Sequence, residues 1–183
     1  MNDTTELERA LVFETMVLSA FAKADRLDLL GSLLSGTHCV MTDIVLNEAR
    51  RGLTLEPQLA AIEDAEWLTI GHLASDEELI AFLRWTQRAG SGERDVGEAS
   101  VFAYAELYGA VSISDDQAAT RVARAYGLEV HGTLWMLCKF CLQQKLTEHA
   151  AGNIIDSLGA VGLRLPGTGV QFPSWARQRN LLV

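Results

Sequence analysis

The stretch DVGEASVFAYAELYGAVSISDD, residues 95–116, decides the fold class. Gly97 allows an open backbone, and Glu98 follows in the first turn of a helix, where the positive end of the macrodipole favours an anion. Val101, Phe102, Ala105 and Leu107 then recur at helical spacing, and Gly109 ends the helix. Residues 110–114 form a short apolar run bounded by turn residues, the pattern of a strand buried on both faces of a parallel sheet. Asp115 and Asp116 stand at its carboxyl end. Open α/β sheets place ligands outside the carboxyl ends of their strands, so these acids are candidates for a site.

The same alternation extends in both directions. Residues 10–13 read as a strand that delivers Glu14, followed by a helix over 15–24 with Met16, Val17, Ala20 and Phe21 on one side, continued helically by 25–34. Residues 39–41 read as a second strand, after which Thr42 and Asp43 offer an N-cap to a helix that carries Glu48 and runs to about residue 51. Pro57 opens a short helix to residue 64, residues 67–70 form a third strand, and 76–87 an amphipathic helix with Leu79, Ile80, Leu83 and Trp85 expected on its inward face. Residues 89–95, rich in Gly and Ser, read as a flexible linker. Beyond residue 116 come a helix over 117–126, an edge strand over 128–130, and a helix capped by Thr133 that runs to about residue 145. This order predicts a three-layer α/β/α sandwich around a mainly parallel sheet of four to five strands. Residues 1–146 then form one domain. Residues 147–183 read as a helical extension packed on it, with a helix capped by Thr147, a Gly-rich loop and an apolar end that includes Phe172, Trp175, Leu181 and Leu182.

Composition narrows the function. A net charge of −9 argues against strong non-specific binding of nucleic acid by bulk charge, yet suits an enzyme that concentrates carboxylates around a cation. The first residues lack a basic region followed by an apolar run, and no stretch approaches the roughly 18 apolar residues of a membrane span. The expectation is a cytoplasmic protein without a membrane partner. Three cysteines, an odd number without a disulfide-like framework, agree with a reducing compartment.

Glu14, Glu48, Glu98 and the pair Asp115/Asp116 all fall where strands end or on the helices that follow. Carboxylates brought close together repel and raise one another's pKa, so an ionised cluster calls for a cation, with Mg2+ or Mn2+ as the natural occupant. The alternative is a set of unrelated helix caps and solvated acids. Thr15 and Ser19 are candidates to hold a water or orient a carboxylate, against simple capping and packing. Arg50, Arg51, Arg94, Arg121 and Arg124 are candidates for phosphate contacts, with Arg121 first because it follows the acid pair by about a helical turn. Cys138 and Cys141 form a CxxC on an apolar helix with no second ligand pair and read as core. The four histidines show no metal-ligand spacing, and the GTG at residues 167–169 lacks the Lys of a phosphate loop.

Four segments in order, VFETMVLSAFAKADRLDLL, TDIVLNEAR, GERDVGEASVFAYA and SISDDQAATRVARAYGLEVHGTLWML, resemble a PIN domain over about residues 10–146. The resemblance implies a metal-dependent ribonuclease, as in VapC-like toxins of toxin–antitoxin pairs, with RNA as substrate, an antitoxin as partner, and a homodimer formed by helices beside the site. It carries Glu48, Glu98 and either Asp115 or Asp116 onto the family's acids, with Asp116 taken as catalytic. It implies Glu14, Glu48, Glu98 and Asp116 as catalytic residues, Glu14, Glu98, Asp115 and Asp116 as metal ligands, and Thr15, Ser19 and Arg121 as substrate contacts. Glu14 departs from the pattern, because the family has Asp at that position. The extra methylene extends the side chain by about one C–C bond, ~1.5 Å, and Mg2+ tolerates distorted octahedra poorly. The alternative function is a non-catalytic PIN-fold module that binds RNA or a partner protein.

Overall fold

A computed structural model describes residues 9–89 and 95–182, with the side chain of Asp95 left out of account. Strands β1 (Leu11–Phe13), β2 (Cys39–Thr42), β3 (Leu68–Gly71), β4 (Val111–Ile113) and β5 (Val130–His131) form one all-parallel sheet in the order β3-β2-β1-β4-β5. Every residue of β1, β2 and β4 is buried, as interior strands covered on both faces require, whereas edge strand β3 exposes Thr69 and Ile70. The expected three-layer sandwich is the fold.

Parallel neighbours need crossover connections, and helices supply them. Helices α1 (Thr15–Lys23) and α2 (Leu27–Leu33) join β1 to β2, and α3 (Asp43–Gly52) and α4 (Ala60–Glu63) join β2 to β3. Helices α5 (Asp76–Ala89) and α6 (Asp95–Tyr108) lead to β4, and α7 (Gln117–Ala125) leads to β5. The chain steps outward from β1 to β3 and then doubles back past β1 to β4. Right-handed crossovers therefore assign the first four helices to one face and the next three to the other. Where the sequence reads as continuous helix after residue 24, α1 and α2 are separate, because Asp25 adopts the left-handed conformation at φ 55°. The expected linker over 89–95 falls largely on residues outside the described ones. Helix α5 turns Ala81 and Trp85, one turn apart, to the core, so Leu79, Ile80 and Leu83, expected on the inward face, are exposed. Trp85, fully buried, knits α5 to its neighbours: Nε1 donates to Glu106 Oε2 at 2.7 Å, and the ring lies 5.3 Å from Phe102.

After β5 come α8 (Thr133–Leu142), α9 (Glu148–Ala160) and α10 (Phe172–Gln178). Thr147 caps α9 as expected, accepting from the Ala150 N–H at 3.1 Å. Helix α10 is absent from the sequence reading, although Pro173 in its first turn is a start signal. It packs on α9 through a joint of two glycines. A Cβ on Gly152 would lie 2.8 Å from the Gly169 carbonyl oxygen, and one on Gly169 would collide with the Gly152 carbonyl. The Gly169 N–H also donates to Asp156 Oδ1 at 2.7 Å. The Gly-rich loop is thus a docking joint, and Phe172, Ala176 and Leu182 are buried behind it. Among the described residues, no helix is long and apolar enough to cross a membrane.

The Gly152–Gly169 approach leaves no room for a methyl group. Gly169→Ala is expected to cost about 1–3 kcal/mol of stability and to speed proteolysis within α10 well before the sheet unfolds. Denaturant titration with limited proteolysis reads both, and a variant as stable and as resistant as the parent would contradict the contact.

Candidate active site at the switch between β1 and β4

Strands β1 and β4 are neighbours whose connections leave in opposite directions, which opens a crevice outside their carboxyl ends. Glu14 follows β1 directly and is only 2% exposed. Its Oε1 accepts from the Asp115 backbone N–H at 2.8 Å, while its own N–H donates to the Ile113 carbonyl at 3.2 Å. Burial, first of all, drives its carboxyl up to about 8; the charges of Glu98 and Asp115 add to the rise, against the hydrogen bonds from the Asp115 amide and Ser114. Glu14 therefore holds a proton at neutral pH.

The second wall comes from α3 and α6. At the end of β2, the Thr42 hydroxyl accepts from the Val45 N–H at 3.2 Å, capping α3, and lies 2.7 Å from Ser100 Oγ. Ser100 donates to the Gly97 carbonyl at 2.7 Å. With the one Ser100 hydrogen so engaged, Thr42 must donate to Ser100. Both hydroxyl residues are fully buried, so this chain fixes the first turn of α6, and with it Glu98, against the start of α3.

Glu48 extends from α3 into the same space and accepts from the Thr15 hydroxyl. Burial raises its pKa, opposed by Thr15, by the Gly97 backbone and by the charge of Arg51. Gly97 is the correction to the sequence reading. It lies inside α6 rather than in an open segment ahead of it, and a Cβ there would lie 2.8 Å from Glu48 Cδ. The glycine is needed because the Glu48 carboxylate occupies the place of its side chain.

The acid pair divides its work. Asp115 Oδ1 accepts from the Thr133 N–H at 2.9 Å and Oδ2 from the Thr133 hydroxyl at 2.6 Å, and burial raises its pKa against these two bonds. A Cβ on Gly132 would collide with Asp115 Oδ1, so the Gly132-Thr133 turn is a cradle for this carboxylate. Thr133, expected to cap α8, serves Asp115 instead, and Gly132 takes the N-cap position. Asp116 Oδ1 caps α7, accepting from the Ala119 N–H at 2.8 Å.

Of the other expected site residues, Thr15 touches Glu48, and Ser19 lies half-buried one turn further along α1. Arg121 is exposed on α7. Arg124, one turn later, donates to the Val130 carbonyl at 2.6 Å and lines a cavity next to Asp115. Arg50 is paired with Glu63, and Arg94 lies outside the described residues. Thr42 caps α3 as expected, but its link to Ser100, the close approach of Gly132 and the cradling role of Thr133 escape sequence reasoning. Their signal is a hydroxyl or glycine beside each acid, and it reads as ordinary capping until the elements are assembled. The CxxC residues behave as interior: all three thiols are free, and burial pushes Cys39 and Cys138 up to about 12 and Cys141 to about 11.

Glu14, Glu48, Glu98, Asp115 and Asp116 offer only oxygen donors, and the charges of Glu98 and Asp115 both bear on Glu14. In kind, this donor set fits a hard divalent cation. Among the described residues, however, no three His, Cys, Asp or Glu side chains stand together as a ready-made cluster. Both Asp115 oxygens and one Asp116 oxygen are already engaged by N–H or O–H donors.

A family model described as a PIN domain matches residues 10–171, which takes in α9 and the 3₁₀ turn before α10. No curated protein matches the chain. PIN domains are in general divalent-metal-dependent nucleases, and the architecture here is accordingly a nuclease fold.

Glu14 sets a pH dependence with a definite sign. Its folded pKa lies above the ordinary 4.5, at about 8, so the unfolded chain releases its proton first and stability falls as pH rises between those values. Glu14→Gln keeps the acceptor for the Asp115 amide and removes the titration. Without metal, the variant is expected to match the parent near pH 4.5 and to gain over it by up to roughly 1.4 kcal/mol per pH unit towards pH 8. Denaturation curves across that range that stay parallel would show that Glu14 is not held protonated.

Proposed function

The chain belongs to the PIN domain family, and on that premise we propose that it is a divalent-metal-dependent endoribonuclease that cleaves RNA phosphodiester bonds at the β1/β4 crevice. The observation that carries this reading is the convergence on that crevice of buried Glu14 with Glu98 and Asp115, near enough for each charge to act on Glu14.

In this reading Glu14, Glu98, Asp115 and Asp116 hold Mg2+ or Mn2+, which when bound supplies Lewis-acid polarisation of the phosphodiester and activation of water. The residues of the chain do the rest. Asp115, tied to Thr133, keeps its carboxylate fixed in the crevice, and the Thr42–Ser100–Gly97 chain holds the Glu98 turn in place. Glu48, held by the Thr15 hydroxyl and the Gly97 backbone, is the acceptor for a proton of the attacking water. Water adds to phosphorus as it gives a proton to Glu48, the bond to the 3′ oxygen breaks, and that oxygen takes a proton from solvent water to leave as a hydroxyl, giving a 5′-phosphate on the other product.

The proposal extends to a cytoplasmic toxin of a type II toxin–antitoxin pair that acts as a homodimer. In support, α5 exposes Leu79, Ile80 and Leu83 to solvent, apolar surface that a second subunit or an antitoxin would cover. The net charge of −9 suits an antitoxin with a basic segment. A second reading, a non-catalytic module that binds RNA or a protein partner, draws support from Glu14 itself. It is longer by a methylene than the family's Asp and carries a proton at neutral pH.

Cleavage of RNA by the parent and by Glu14→Asp, in Mg2+, Mn2+ and EDTA, separates the two. The expected outcome is metal-dependent cutting by the Asp variant at least about tenfold faster than by the parent, a gain of ~1.4 kcal/mol in the barrier. Glu98→Ala should be silent in both backgrounds. If neither protein cuts and calorimetry detects no divalent ion on either, the module reading replaces the nuclease.

A further inference from the structure

Beside the carboxylates lies a cavity of about 600 Å3, bounded by Asp115, by α7 and α8, and by the C-terminal segment from Arg164 to Leu181. Its size is that of a site for one small ligand, roughly 300–1,000 Å3. Its charge is the reverse of the chain's. Four cationic side chains, Arg124, Lys139, Arg164 and Arg179, line it against the single carboxylate of Asp115, in a protein of net charge −9. They come from separate elements, so their convergence results from the fold and not from a run of basic sequence.

The wall is also aromatic. Lys139 lies 5.4 Å from the Trp135 ring centroid, and the Arg179 guanidinium stands 4.5 Å over the ring of Trp175. The Trp175 ring lines the cavity. Arg164 and Arg179 remain solvent-exposed at the rim. Trp175 and Arg179 lie beyond the family match, which ends at residue 171, while Arg164 lies within it.

We propose that the C-terminal segment closes a cleft that grips a single RNA strand next to the scissile phosphate. Arg164 and Arg179 neutralise backbone phosphates. The inference rests on the nuclease reading for the identity of the strand. The cleft admits a nucleotide of a single strand and not a duplex, and its wall at Asp115 leads the strand into the carboxylates. A net charge of −9 disfavours nucleic acid on the body as a whole, and the cationic lining of the cleft offers a strand an entrance.

The test is binding in EDTA, where cleavage cannot contribute. Fluorescence anisotropy with a short single-stranded RNA is run on the parent, on Arg164→Gln/Arg179→Gln, and on Lys23→Gln/Arg26→Gln as a charge-matched control away from the cleft. The double variant is expected to bind at least about tenfold more weakly, with a salt slope smaller by about 1–2, while the control binds as the parent does. RNA should also quench a part of the tryptophan emission that is missing in Trp175→Phe. Equal binding by the parent and the double variant, or no RNA binding by the parent, overturns the proposal, as does a nucleoside monophosphate that binds as tightly as the oligomer. Cleavage assays keep the two readings apart. Metal-dependent cutting by Glu14→Asp that is indifferent to Arg164 and Arg179 removes the cleft and leaves the nuclease. Arginine-dependent binding without cutting by any variant leaves the cleft and removes the nuclease.

Discussion

A carboxyl group with almost no access to water sits where the chain changes direction across its sheet, and the rest of the molecule is arranged around that fact. Glu14 follows the central strand, and the amide of Asp115, from the next strand over, fastens it. Taking a carboxylate out of water is costly, so the group keeps its proton unless positive charge is brought to it. The neighbouring acids sharpen the condition. The crevice is an electrostatic vacancy with a preferred sign, and everything that enters it from outside is selected by that preference.

The supporting shell is built of hydroxyls and glycines. Thr15, Thr42, Ser100 and Thr133 each connect one helix start or strand end to another, and three of the four serve a carboxylate or the turn that carries one. Gly97 and Gly132 remove the side chains that would stand where Glu48 and Asp115 need to be. Such a shell sets geometry without adding charge, so the acids are placed by neutral groups and their mutual repulsion stays available to a cation.

Much of this was legible before the fold was known, and for a physical reason. Short apolar runs bounded by turn residues are read reliably as interior parallel strands, and β1, β2 and β4 fall within about a residue of where the sequence puts them. Positions just past such strands follow at once, which is why Glu14, Asp115 and Asp116 stood out. Glu48 lies mid-helix and is grouped with the other acids only by its place on the helix after β2, and the resemblance is what gives it a role. Gly97 was misread because a glycine near a helix start looks like a breaker, while its actual constraint is a contact with a residue 49 positions earlier in the chain (97 − 48). The basic cleft was invisible for the same reason. Arg124, Lys139, Arg164 and Arg179 share no period and meet only after the extension has docked through Gly152 and Gly169.

The three thiols, buried at Cys39 and Cys138 and half-buried at Cys141, have a practical consequence. With Cys39, Cys138 and Cys141 held several pH units above neutrality, only a minute fraction of each is thiolate at pH 7, and thiolate is the form that reacts with alkylating reagents. The folded protein is therefore a nearly blank background for thiol chemistry. A single cysteine introduced on an exposed helix face would take a fluorophore or spin label by itself, with the native three left in place.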